Sequence, residues 1–332
     1  MIISRTPLRV SFAGGGSDLP AFYRQEPGAV LSTAINKYIY ITVNPKFDEN
    51  IRASYSQTEI VSCVDELQHE LIRESLKLVR ISRGIEITSI SDIPSRGTGL
   101  GSSSTYTVGL LNALYAHRNY FAGAERLARE ACAIEIERCG KPIGKQDQYI
   151  AAYGGLQFIR FNPDESVFVD PVVCAPETRE RLQAGLMMLY TGLVRSADEI
   201  LKEQSHNTQT DREKRATLRR MVGLAEQMRQ ALLCNDLSGF GEALHAGWME
   251  KHELASGISK PCIDEWYERA RAHGAIGGKI LGAGGGGFLL LYAPPARHAE
   301  ICEALPNLRP IDFRFSPQGS KLIYVEENGY EL

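Results

Sequence analysis

A mixed α and β fold in two halves with a cleft between them is predicted by three features of this 332-residue sequence. Runs rich in β-branched and aromatic residues alternate with helical spacing in the front half. Asn162-Pro163-Asp164, Pro171 and Pro176 then interrupt the pattern. Three glycine-rich segments, beginning at Gly14, Gly97 and Gly282, lie far apart along the chain.

The elements follow in order. Leu8 to Phe12 and Ala29 to Val43 read as strands, with Gly14-Gly15-Gly16 as a tight connection. Ile85 to Ile90 is a short alternating strand, and Ser102 to His117 shows helical spacing through Val108, Leu111, Leu114 and Tyr115. A second helix is predicted over Ala124 to Cys139, ending before Gly140 and Pro142, and a loop then carries Gln146-Asp147-Gln148 to Gly154-Gly155. After a boundary within residues 162 to 185, the chain reads as a strand at Leu186 to Tyr190. Helices are predicted at about Ala197 to Leu233, about Leu237 to Ser256, and Cys262 to His273. Strands at Ala275 to Leu281, Phe288 to Tyr292 and Ile311 to Phe315 close the pattern, with a helix between the last two.

Composition narrows the function classes. A hydrophobic content of 43% suffices for packed cores, and a net charge of −3 argues against a nucleic-acid partner, which calls for a concentrated basic excess. The cysteines number seven, with no C-x-x-C pair or zinc-like spacing, which predicts free thiols in a reducing compartment. No segment approaches the roughly 18 apolar residues of a membrane span, so the expectation is a cytoplasmic protein without membrane partners.

The most informative segment is Pro94-Ser95-Arg96-Gly97-Thr98-Gly99-Leu100-Gly101-Ser102-Ser103-Ser104-Thr105. Three glycines allow backbone to fold around an anion. The following hydroxyl residues open a helix whose N-terminal amides and dipole favour negative charge. A capping serine alone would need far fewer hydroxyls. Asp147, set among flexible residues, is either an Asx-turn residue or a carboxylate facing a substrate hydroxyl. Glu135 and Glu137 lie two apart on one helix, so at most one faces the phosphate site as a hard oxygen ligand for magnesium. The run Gly282 to Gly287 matches G-x-G-x-x-G formally, yet it leads into the strand-like Phe288 to Tyr292 and opens no helix, which rejects a dinucleotide site. It reads as a hairpin-like loop whose backbone lies close to a ligand. Arg9 and Asp18 flank Ala13-Gly14-Gly15-Gly16-Ser17, where a cation and a carboxylate across a turn suit a polyhydroxyl substrate and phosphoryl charge.

Taken together, Thr6 to Gly14, Gly99-Leu100-Gly101-Ser102-Ser103-Ser104 and Lys279 to Phe288 resemble the three motifs of the GHMP kinases. The resemblance spans the chain. It implies an α+β fold: an N-terminal α/β domain like ribosomal protein S5 over residues 1–175, and a ferredoxin-like C-terminal domain over 176–332. ATP, Mg2+ and acceptor would occupy the cleft. It implies that Gly97, Thr98, Gly99, Leu100, Gly101, Ser102, Ser103 and Ser104 hold the ATP phosphates. Ser103 and Glu135 would bind the metal, with Ser104 as second choice, and Asp147 and Arg9 would be catalytic. Gly15, Gly16, Ser17, Asp18, Gly284 and Gly285 would contact the substrate. Pro94 stands one residue further from Gly99 than is usual in the family. The Gly14-Gly15-Gly16-Ser17-Asp18 version of the first motif is similar to that of members acting on the anomeric hydroxyl of heptose 7-phosphate and of L-fucose. A sugar phosphate acceptor would need a cationic pocket, for which Arg5, Lys37, Arg96, Lys141, Lys145 and Arg195 are candidates. An L-fucose or other sugar 1-kinase is the same-fold alternative. A non-catalytic binding protein, which would be expected to lose Asp147 or the serine loop, is the other.

Overall fold

The computed structural model describes residues 1–94, 97–194 and 197–326. In chain order the elements are β1 (Ile2–Ala13), α1 (Pro20–Tyr23), β2 (Gly28–Pro45), β3 (Ile51–Ser54), β4 (Thr58–Val61), α2 (Glu70–Val79), β5 (Ile85–Ser91), α3 (Ser102–His117), α4 (Ala124–Cys132) and α5 (Gln146–Tyr153). The chain continues through β6 (Leu156–Phe161), β7 (Val167–Pro171), α6 (Pro176–Gly185), β8 (Leu186–Tyr190), α7 (Ala197–Thr210), α8 (Arg212–Leu233) and α9 (Leu237–His252). Last come α10 (Pro261–Ala272), β9 (Gly277–Ile280), β10 (Phe288–Tyr292), α11 (His298–Ala304), β11 (Arg309–Pro310) and β12 (Lys321–Val325).

Two sheets result. The larger has the order β12-β1-β2-β5-β3-β4, with β6 and β7 as a branch. The branch exists because β2 is 18 residues long: Gly28 to Thr33 pair with β6, and Ile39 to Pro45 pair with β5. The smaller sheet, β11-β8-β10-β9, is antiparallel throughout. Buried α3 packs on β1 and β2, and a Cβ on its Gly109 would lie 2.6 Å from the Thr6 hydroxyl. The sheets are joined through aromatic edges: Phe12 on β1 meets Phe240 on α9 at 5.3 Å, and Phe240 meets Tyr292 on β10 at 5.7 Å. Such pairs contribute about 0.5–1.5 kcal/mol each beyond their area burial. They fix α9, and hence its last turn, against the first strand.

Several expectations are corrected. Asp147 lies on a helix, α5, and not in a loop. The stretch 197–233 is two helices, because Asp211 leaves the helical path and its carboxylate accepts the N–H groups of Glu213 and Lys214. The helix over 124–139 is α-helical only to Cys132 and continues as a π-helical turn over Ala133–Arg138. Such turns shift side chains out of α register. Ile311 to Phe315 is no strand: Arg309–Pro310 pair with β8 and Phe315 makes one bridge to Ile35. The end of the chain then returns to the first sheet, where β12 pairs with β1.

Candidate active site

The three glycine-bearing segments meet at one cavity of about 350 Å3. Their approach is backbone to backbone. A Cβ on Gly99 would lie 2.3 Å from the Leu281 carbonyl oxygen, and one on Gly282 would lie 2.6 Å from the Gly99 Cα. Both residues have positive φ, so glycine is required on conformational as well as steric grounds.

At the start of α3 no side chain caps the helix, and the N-cap position is Gly101 at φ 76°. Uncapped first-turn amides facing a cavity are an anion site by construction. Gly97, Thr98, Gly99, Gly101, Ser102, Ser103 and Ser104 line the cavity. Leu100 is buried behind them, and its carbonyl accepts the Arg9 N–H at 3.1 Å.

Behind the serines stands Glu135, fully buried on the π-helical turn, whereas Glu137 is exposed. The Ser103 hydroxyl donates to Glu135 Oε1, and Gln148 Nε2 donates to Oε2 at 2.7 Å. Burial pushes the Glu135 carboxyl up to about 7, against the opposing hydrogen bonds from Ser103, Ser104 and Gln148. A hydroxyl and a carboxylate converging beside the phosphate loop form a hard-oxygen donor set. It suits a cation that takes its remaining oxygens from phosphate. No cluster of three or more His, Cys, Asp or Glu side chains suited to a metal exists among the described residues.

Across the cavity, Arg9 grips Asp147 with a two-point fork: Nε to Oδ1 at 2.7 Å and Nη2 to Oδ2 at 2.8 Å. Its Nη1 donates to the Gly99 carbonyl at 2.5 Å. The ion pair of Arg9 is therefore with Asp147 and not with Asp18 across the turn. Asp18 is buried, which raises its pKa, while the Gly16 N–H at 2.8 Å opposes the rise. Its second oxygen accepts the Gln146 N–H at 3.2 Å, tying the first glycine turn to the start of α5. Gln146 itself accepts from the Ser11 hydroxyl at 2.8 Å.

Gly15, Gly16 and Asp18 line the cavity, but Ser17, Gly284 and Gly285 do not. The Ser17 hydroxyl is buried and donates to the Gly14 carbonyl, stapling the turn. Gly285 N–H donates to the Ile258 carbonyl at 2.7 Å, and Gly284 packs against the same residue, so both hold the loop rather than face the cavity. Gly282 and Ala283 line it instead.

Among the six basic candidates, only Lys141 lines the cavity within the described residues, and it pairs with Glu70 at 2.9 Å. Arg5 stacks over Tyr38, Lys37 lies elsewhere on β2, and Lys145 is held by Glu165 at 2.5 Å. Arg96 and Arg195 lie outside the described residues.

The structure adds Gln146, Gln204 and Lys251 to the cavity wall. Gln204, on α7, is 1% exposed, and both its amide atoms lack a hydrogen-bond partner among the described residues. In sequence Gln204 and Lys251 sit in ordinary polar helix positions and Gln146 reads as a loop residue beside Asp147, with no glycine run that marks any of them as ligand-facing. A second cavity of about 380 Å3 shares Ser102 and Ser103 with the first and is lined by Tyr55, His69, Tyr106 and Ile93. Tyr55 and His69 meet edge to face at 4.5 Å.

This geometry matches what comparison with known proteins finds. Residues 60–155 match the GHMP kinases N terminal domain, and residues 225–309 match the GHMP kinases C terminal domain, together more than half of the chain. The chain belongs to the GHMP kinase family. It is a phosphotransferase with an alcohol acceptor and has the α+β fold of that family, whose members are ATP-dependent. The D-glycero-alpha-D-manno-heptose 7-phosphate kinase of Campylobacter jejuni is 28% identical, over 96% of this chain and 98% of that protein. The L-fucokinase/L-fucose-1-P guanylyltransferase of Bacteroides fragilis is 27% identical over 93% of this chain but only 37% of its own length. A crystal structure described as a D-glycero-D-manno-heptose 1-phosphate kinase from Bacteroides thetaiotaomicron superposes with a TM-score of 0.81 at 26% identity, covering 98% of this chain and 100% of that one. No helix among the described residues is long and apolar enough to cross a membrane.

Proposed function

We propose that this protein is an ATP-dependent sugar 1-kinase that transfers the γ-phosphoryl group to the anomeric hydroxyl of D-glycero-D-manno-heptose 7-phosphate. The product is heptose 1,7-bisphosphate, a precursor for nucleotide-activated heptose. The observation that carries the reaction is the uncapped α3 N-terminus and the Arg9–Asp147 pair facing one cavity. The acceptor rests on the full-length similarity to the Campylobacter kinase and on the Gly14 to Asp18 motif.

The loop amides from Gly97 to Ser104 hold the ATP phosphates, and the Tyr55, His69 and Tyr106 cavity takes the base. Ser103 and Glu135 fit Mg2+, and the metal would supply positive charge to the β- and γ-phosphate oxygens. The Arg9 fork orients Asp147, which accepts a hydrogen bond from the attacking hydroxyl. Positioning and charge stabilisation dominate phosphoryl transfer, so an oriented anion suffices at this point. Asp18, with the turn it organises, and the orphan Gln204 amide bind sugar hydroxyls; a group that both donates and accepts suits a polyol.

L-Fucose is the second reading. It is favoured by the pairing of Lys141 with Glu70 and by the fact that Arg5, Lys37 and Lys145 are not among the residues lining the cavity. The test is magnesium-dependent ADP release with the heptose 7-phosphate, L-fucose, mannose and galactose, with phosphorus NMR of the product. A new anomeric phosphate on the heptose alone is expected. Transfer to L-fucose alone would replace the acceptor, and ATP turnover with none of the four would remove both the heptose phosphate and L-fucose as acceptors.

A further inference from the structure

Arg9 is the cation that sequence reasoning assigns to the transferring phosphate, yet three of its five N–H donors are spent on protein groups. Two hold Asp147 and one holds the Gly99 carbonyl. A second cation lines the same cavity. Lys251, on the last turn of α9, is only 4% exposed and lines the cavity. Its Nζ donates to the Gly282 carbonyl at 2.8 Å, on the loop that touches Gly99 of the phosphate loop. On its other side, the same Nζ lies 3.8 Å from the point where a Gly15 side chain would begin, and that point is 3.5 Å from the Gln146 amide nitrogen. The ammonium thus lies between the first and third glycine segments, on the wall of the cavity that the phosphate loop also lines.

A second buried lysine lies close enough to feel both cations. Lys279, on β9, donates to the Phe12 carbonyl at 3.4 Å. Its pKa is pushed well down by burial first, then by Lys251 and Arg9, with Asp18 opposing. Lys251 and Arg9 both line the cavity, so their two positive charges face one space.

We infer that Lys251 is a catalytic residue whose ammonium stabilises the phosphoryl group in flight, with Arg9 acting chiefly to position Asp147. In the step, the acceptor oxygen forms a bond to the γ-phosphorus while the bond from that phosphorus to the β–γ bridging oxygen breaks. The electron pair stays on ADP, and the hydroxyl proton leaves by way of Asp147 to solvent. Lys251 forms and breaks no covalent bond and keeps its protons. Donors aimed at charge that grows in the transition state are worth more than those that bind both states equally. The inference rests on the family's phosphoryl transfer and not on which sugar is the acceptor.

The test compares Lys251→Met, Lys251→Arg and Lys251→Ala with the parent enzyme, on whichever sugar the parent phosphorylates. Lys251→Met is expected to lower kcat by about a hundredfold or more, as for removal of a preorganised transition-state donor, while KM for ATP and acceptor change less than about fivefold. Lys251→Arg restores part of the rate, and added methylammonium restores turnover of Lys251→Ala in a saturable way. A mere strut for Gly282 would show no such rescue. Independently of any acceptor, the parent is expected to bind ADP with aluminium fluoride more tightly than ADP alone, and Lys251→Met to lose that gain while binding ADP normally. Turnover of Lys251→Met within threefold of the parent would overturn the inference. So would a loss confined to acceptor KM, or equal weakening of ADP with and without fluoride. Should Lys251→Met fail to fold, Lys251→Arg and the amine rescue decide, and failure of both overturns it. An enzyme active on an unexpected sugar would displace the acceptor proposal and leave this test intact.

Discussion

The two walls of the cleft are built from different materials. The wall proposed for the nucleotide is largely backbone: a glycine turn, the bare amides at the head of α3, and Gly282 pressed against Gly99. The wall proposed for the acceptor and the transferred group is side chain: Arg9 from β1, Asp147 and Gln146 from α5, Gln204 from α7 and Lys251 from α9. A backbone site needs consecutive residues, because adjacent amides must point at one anion. A side-chain site can draw one residue from each of several elements, so its parts scatter along the chain.

The sharpest way to break this contrast is Asp147→Asn. It leaves the nucleotide wall intact and should fold, yet turnover should fall at least about a hundredfold, the scale of general-base and oriented-anion contributions. Near-normal turnover would show that the acceptor wall needs no anion there. Glu135→Gln tests the single carboxylate behind the nucleotide wall. Its expected effect is a rise of about tenfold or more in the magnesium concentration for half-maximal rate, since altered metal-site partners commonly cost 10–100-fold in affinity. An unchanged magnesium titration would remove Glu135 from the site.

Gln204→Leu probes the acceptor wall alone. Acceptor KM should rise several-fold with ATP KM unchanged, while thermal unfolding shows a gain of about 1 kcal/mol. The cause of the gain is that a buried amide without partners is replaced by an apolar group of similar shape. Unchanged acceptor KM would make Gln204 purely structural. The last effect is a slope of stability against pH. The folded state disfavours the Lys279 ammonium, so protein stability should rise with pH between the lowered folded value and the ordinary lysine value near 10.5. Below that window both states carry the proton and the full cost remains. Melting curves from pH 7 to 10 should show a flatter profile for Lys279→Met than for the parent; parallel profiles would contradict the burial of a charge-averse lysine.

Much of the fold was legible, and the failures have local causes. Ser102 to His117 was predicted to the residue, because its apolar spacing and the glycines before it agree. α5 was read as a loop because its eight residues fall between Gly144 and Gly154, too few to show a period. The break at Asp211 is carried by one capping carboxylate in a stretch that is helical on both sides. β12 has exposed Ile323, Tyr324 and Val325 and no alternation of buried and exposed faces to declare it. In the site, Arg9, Asp147 and the phosphate loop were named from motifs, whereas Lys251 and Gln204 look like solvated helix residues until α7 and α9 are folded over the cleft.

By itself the sequence determined the backbone-built part of this protein: the glycine turns, the helix that opens at Ser102, and the alternation of strand and helix around them. These depend on neighbours in the chain, whose conformational limits act over a few residues. Only the tertiary structure decided that Arg9 spends its donors on Asp147 and Gly99, that Glu135 rather than Glu137 faces Ser103, and that Lys251 stands between the first and third glycine loops. Those outcomes depend on which groups burial brings within hydrogen-bond reach. Arg9 and Asp147 lie 138 positions apart and meet only because the folded chain brings β1 and α5 together, while Phe12 against Phe240 holds α9 beside the first strand.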